Sequence, residues 1–248
     1  MAVSATAIAR IWQGDGYRLF LSHKSDDKVE VGKLKKQFRK YGISAFVAHA
    51  DIEPTQAWQN EIERSLRTMD GFAALMTKGF HESNWTDQEV GFALGRGVMV
   101  VAVNLGRNPY GFIGDMQALK TTWDKAAPAI AKLLIRHDEA MFEPFVQAMR
   151  DCRSFDDGNE LGELLPALHS LEDDQLQEMV DAYNGNSQIY EAYAFHGQRP
   201  GSYGDGLIGV LDRLAPDGYE MATTRTPYTI RRKAKKAKKK PANSASVP

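Results

Sequence analysis

A single cysteine, Cys152, stands among the 248 residues, so neither an intramolecular disulfide nor a multi-cysteine metal cluster can form. Redox chemistry is therefore not indicated, and a reducing compartment is the natural home. Long apolar runs are also missing: the longest, residues 98–103, falls far short of the ~20 residues that a membrane-spanning helix needs. Residues 1–16 hold one Arg and no extended apolar stretch, so no leader is expected and the cytoplasm is the expected location. The six His residues are scattered without metal-ligand spacing, and no Gly-x-x-x-x-Gly-Lys phosphate loop occurs. A metal site and a resident cofactor are therefore not expected, and no internal repeat is visible.

What is present is an ordinary globular composition, 43% hydrophobic and 25% charged, with a net charge of −1. The near-neutrality hides an asymmetry, because residues 231–240 contain eight Lys or Arg and no acid. Setting those eight aside leaves 23 of the 31 basic residues against 32 acidic ones. An acidic body with a short basic end is not a basic DNA-binding domain. Nucleic acid could be bound only through the 231–240 run, and without interleaved aromatics a solvated tail is the plainer reading.

Strand and helix alternate along the first half. Tyr17 to Ser22 reads as a strand, followed by a helix capped by Asp26 or Asp27, with Val31, Leu34, Phe38 and Tyr41 at helical spacing and Gly42 as its stop. A strand at 44–47, a loop with Asp51 and Pro54, and a helix with Trp58, Ile62, Ser65 and Leu66 on one face come next. A third strand is expected at 72–76, a helix at 85–96 capped by Asn84, a fourth strand at 98–103, a short last strand at 118–121 and a closing helix at 127–136. Nearly continuous apolar strands separated by helices imply a parallel sheet covered on both faces. Ligands of such sheets bind beyond the carboxyl ends of the strands, here the loops after Ser22, Val47 and Met76.

From Met141 to Leu214 the pattern becomes purely helical, with Ser170 a candidate cap, and residues 138–220 are expected to form a small all-α domain. From 226 onward no apolar face can be drawn, and residues 226–248 are expected to be a disordered Lys-rich tail.

Trp85 and Glu89 are four residues apart on one helix and share a face that Phe92 and Ala93 continue. A carboxylate on that face is unusual. Spacing alone leaves open an ion pair of Glu89 with Arg96 or Lys78, and a core position for Trp85. Ser22, His23, Lys24 and Ser25 end the first strand, where backbone amides and a lysine could hold a pyrophosphate.

The stretch 19–25 (Leu-Phe-Leu-Ser-His-Lys-Ser), the loop 48–58 with Glu61-Ile62-Glu63 after it, and Trp85-Thr-Asp-Gln-Glu89-Val-Gly together resemble a bacterial TIR (Toll/interleukin-1 receptor) domain over residues 15–136. The resemblance implies a flavodoxin-like α/β fold. It also implies cleavage of the nicotinamide–ribose bond of NAD, with Glu89 as catalytic carboxylate and Trp85, Ser22, His23, Lys24, Ser25 and Asp51 around the dinucleotide. NAD would be substrate, and the products nicotinamide plus ADP-ribose or a cyclic ADP-ribose isomer. Such relatives act in anti-phage signalling, some through a separate effector that senses the product, and they self-associate through the loop corresponding to 48–56. Here that loop has Thr55 in place of the usual Gly, and His23 stands where many relatives have Tyr. A non-enzymatic TIR–TIR scaffold is the alternative that the same resemblance allows.

Overall fold

A computed structural model of the chain describes residues 3–47, 56–197 and 204–234. A helix precedes the sheet: Ser4 caps α1 (Ala5–Ile11) by accepting from the Ala7 amide. Then come β1 (Tyr17–Ser22), α2 (Lys28–Phe38), β2 (Ile43–Phe46), α3 (Gln56–Thr68), β3 (Gly71–Met76), α4 (Thr86–Arg96), β4 (Met99–Asn104), β5 (Leu119–Lys120) and α5 (Ala126–His137). The five strands form one parallel sheet in the order β2-β1-β3-β4-β5. This is the doubly wound arrangement expected from the alternation.

The two-residue period of β1 divides the core. Tyr17, Leu19 and Leu21 face a cluster built with α2 and α5, while Phe20 faces a second cluster with Ile62 and Leu66 of α3 and Val90 and Ala93 of α4. Helix α1 belongs to this second face. Trp12, just past its end, is 1% exposed, and its indole N–H donates to Thr68 Oγ1 at 2.8 Å. Nothing in the first sixteen residues looked periodic enough to announce it, because the buried anchors are only Ile11 and Trp12.

Two caps differ from expectation. Trp85, not Asn84, occupies the N-cap of α4, and Gly97 (φ 68°) ends that helix in the left-handed conformation. Helix α8 (Asp173–Gly185) is capped by Glu172, whose side chain and that of Gln175 satisfy each other's backbone amides, so Ser170 has no such role.

Beyond α5 the chain continues as α6 (Phe142–Asp151), α7 (Phe155–Gly162), α8, α9 (Ser187–Tyr190), α10 (Tyr193–His196) and α11 (Gly206–Leu214). These helices do not close a core of their own. Met141, Phe145, Leu161, Met179 and Leu211 belong to the same buried cluster as Leu19, Leu34 and Leu134. The closeness is visible at Gly42 (φ 75°), where a Cβ would lie 2.2 Å from the Pro144 carbonyl oxygen. Tyr17 adds a polar tie, donating its hydroxyl to Asp138 Oδ2 at 2.5 Å.

The second unit is not all helical, and the expected tail does not begin at 226. An antiparallel pair, β6 (Tyr219–Thr223) and β7 (Thr229–Arg232), follows α11. Ile230 is 2% exposed, and Asn184 binds both its backbone groups, donating to the carbonyl (2.8 Å) and accepting from the amide (2.9 Å). Three cations of the basic run are also spent within the fold, Arg231 on Glu220, Arg232 on Asp173 and Lys233 on Asp217. Residues 235–248 lie outside the described residues. Since Ile230 is the single apolar residue of β7 and is fully buried, Ile230→Ala should lower unfolding free energy by about 2–4 kcal/mol in urea denaturation. An unchanged midpoint would mean that this strand is not docked.

Candidate functional site

The site is built where β1 and α4 meet. Ser22 is the last residue of β1 and pairs in register with Ala74 of β3. Strand alternation turns it to the side of Phe20, the side covered by α4. From α4 comes Glu89, one turn after Trp85, whose carbonyl accepts from the Glu89 amide at 2.9 Å. The Ser22 hydroxyl donates to Glu89 Oε2 at 2.5 Å, and both residues are buried, at 1% and 4% exposure. The ion pair that spacing left open is not formed with Arg96, whose guanidinium instead donates to the carbonyls of Leu66 and Met69.

Burial pushes the Glu89 carboxyl up to about 7, and the Ser22 hydrogen bond opposes that rise. No cation is among the causes. A carboxyl raised toward neutrality in this way suits general acid–base work.

Two further contacts stitch the loop after β1 to the loop after β3. Thr77 Oγ1 donates to Asp27 Oδ2 at 2.8 Å, and Lys24 Nζ reaches Glu82 at 2.7 Å and Asp26 at 3.0 Å. Lys24 is thus paired with two carboxylates. Those hydrogen bonds, Glu82 first, hold its pKa above the usual lysine range. His23 is 3% exposed, and its Nδ1–H donates to the Leu21 carbonyl at 3.0 Å. Ser25 opens a three-residue turn and is exposed. Trp85 is half-buried. Asp51 and residues 48–55 of the second loop lie outside the described residues.

The structure adds residues that spacing could not reveal. The loop after β4 folds back so that Tyr110 donates to Asp87 Oδ1 at 2.6 Å, with Arg107 4.7 Å above the Tyr110 ring. Tyr110 and Asp87 are 23 positions apart, and no local pattern joins them. Two clefts lie elsewhere, one of about 950 Å³ at the amino end of the sheet and one of about 600 Å³ beside the loop after β4, and Glu89 lines neither. Among the described residues no group of three His, Cys, Asp or Glu could hold a metal ion, and no helix is long and apolar enough to cross a membrane.

A five-stranded parallel sheet, helices on both faces and a buried carboxyl beside the carboxyl end of a central strand define a flavodoxin-like α/β domain. Residues 19–134 match the family model described as TIR domain, and this segment is a TIR domain. The crystal structure of the TIR domain of the Toll-related Receptor TRR-2 from the lower metazoan Hydra magnipapillata is similar at 16% identity and a TM-score of 0.39, covering 48% of this chain and 95% of that one. Among curated proteins none matches. TIR domains self-associate and serve in signalling or as scaffolds, and some cleave NAD.

The raised carboxyl has a consequence for stability. Below about pH 4.5 Glu89 is protonated in both the folded and unfolded chain; between 4.5 and about 7 only the unfolded chain ionises, so stability is lost as pH rises. Above about 7 the full penalty stands, on the order of 3 kcal/mol. Glu89→Gln should therefore be more stable than the wild type at pH 8, by up to about 3 kcal/mol, with the advantage gone by pH 4. Urea unfolding at the two pH values checks this, and a variant less stable at pH 8 would contradict it.

Proposed function

We propose that this TIR domain cleaves the bond between nicotinamide and ribose in NAD, with Glu89 as the catalytic carboxylate. The observation that carries the reading is the buried Glu89, held by Ser22 at the carboxyl end of the sheet, where burial pushes its carboxyl up to about 7. In the reaction the bond from the ribose anomeric carbon to the nicotinamide nitrogen breaks, its electron pair discharging the pyridinium. Positive charge then spreads over the anomeric carbon and ring oxygen, as in glycoside hydrolysis. An ionised carboxylate in low dielectric stabilises that charge far better than water would.

The cationic nicotinamide also favours ionisation of Glu89 on binding, so substrate itself tips the carboxyl into its working state. Half-buried Trp85, one turn away, offers a flat face for the departing ring. Ser22 keeps one carboxylate oxygen fixed, while His23, Lys24, Ser25 and Asp51 are proposed contacts to the dinucleotide. Capture of the sugar cation by water yields ADP-ribose and a proton, and capture by an internal nucleophile yields a cyclic isomer. We place the activity in anti-phage defence, in the cytoplasm, with assembly through residues 48–56 and a separate effector reading the product. A second reading, a non-enzymatic association module, is favoured by one observation: Phe112, on the loop after β4, is 89% exposed.

The test is release of nicotinamide from NAD by the full chain, followed chromatographically. Glu89→Gln should lower the rate by about 10²–10³ or more while preserving the fold. For the wild type, kcat/KM should rise with pH through a midpoint near 7. Ser22→Ala should move that midpoint upward, because the one contribution that lowers the Glu89 pKa is lost. A folded Glu89→Gln protein that releases nicotinamide at the wild-type rate would remove Glu89 from the reaction and leave the association module.

A further inference from the structure

The cleft of about 950 Å³ lies at the amino end of the sheet, at the opposite end of β1 from Ser22 and Glu89. Its size suits a nucleotide-sized molecule. The floor is apolar, formed by Ile11, Ile43, Ala45, Pro144 and Ala148, and runs along β2, which is an edge strand. The Tyr17 amide donates to the Gly42 carbonyl, so the parallel ladder leaves the main-chain groups of Ile43 and Ala45 on the outer edge. At the start of that edge α6 packs against Gly42, where the Pro144 carbonyl leaves no room even for a Cβ.

The rim supplies charge. Five cations and three acids line the cleft: Lys35, Lys36, Arg39, Lys40 and Arg153 against Asp15, Asp151 and Asp157. Lys40 is neutralised by Glu160, with Asp157 at 4.0 Å. Arg39 donates to the neutral Gln13 side chain at 2.8 Å, which leaves its charge uncompensated. Among the described residues Lys36, Arg39 and Arg153 enter no ion pair. Asp151 accepts from Gln147 and Asp157 from Ser154, and both keep their charge, so the cations of the lining outnumber its acids by five to three. An excess of cations above an apolar floor matches a molecule with a flat apolar part and a phosphate chain.

We propose that this cleft is a second ligand site, which binds a small phosphate-bearing molecule of nucleotide class through Lys36, Arg39 and Arg153. The proposal is independent of NAD cleavage at Glu89. Its ligand would touch both α2, whose preceding loop carries the Asp27–Thr77 bond, and α6 of the helical segment.

Calorimetric titration of the full chain with ATP, inorganic pyrophosphate and adenosine tests it. ATP should bind at a site that pyrophosphate occupies more weakly and adenosine more weakly still. The double variant Lys36→Glu/Arg153→Glu, at two exposed positions, should weaken ATP binding at least tenfold, and Gln147→Trp should do the same by filling the cleft without changing its charge. Glu89→Gln should leave ATP binding unchanged. Should Gln147→Trp fail to fold, the charge variant decides alone. Absence of ATP binding by the wild type, or binding that persists in the charge variant, overturns the proposal.

Discussion

A carboxyl group buried on the inner face of α4, with a serine hydroxyl as its hydrogen-bond partner, is the constraint around which the TIR segment is arranged. Neighbouring positions on that face, Val90 and Ala93, are apolar and contribute to the cluster beneath the sheet. Glu89 contributes the opposite: it costs stability whenever it ionises, because no cation offsets the desolvation. The cost is tolerable only because the surrounding elements are fixed. Ser22 is set by strand register, and Thr77–Asp27 and Lys24–Glu82 bind the two flanking loops to each other. Burial is what places the group near neutrality, so the same feature that weakens the fold prepares the chemistry.

The rest of the chain is joined to this domain through one apolar cluster. Helices α6 to α11 and the β6–β7 pair pack into the cluster that α2 and α5 build against the sheet. Asn184 pairs with Ile230 much as a neighbouring strand would, which lets a four-residue strand hold its place with one buried side chain. The contact of α6 with Gly42 shapes the cationic cleft, so the helical segment does more than follow the TIR domain: it forms one wall of a cavity on it.

Much of this was legible in the sequence because it is periodic. Tyr17 to Ser22, the α2 positions Val31, Leu34 and Phe38, and the buried run in β3 announce strands and helices by spacing alone. Glu89 stood out because a carboxylate lay where an apolar residue belonged. Its partner did not, since Ser22 lies 67 positions away and only the sheet brings them together. The pairing of Lys24 was hidden for the same reason: Glu82 is 58 positions distant. Helix α1 and strand β7 escaped notice because each is anchored by one or two apolar residues, too few for a period to show.

The state of Glu89 is open to direct measurement. Carbon-13 NMR of the side-chain carboxyl, assigned by comparison with Glu89→Gln, follows its protonation across the pH range. The account predicts a midpoint near 7 in the free protein, and a fall in that midpoint when NAD is bound. A midpoint near the ordinary value of 4.5, unchanged by NAD, would show that the carboxyl is neither desolvated nor facing a cationic substrate, and would contradict the account at its centre.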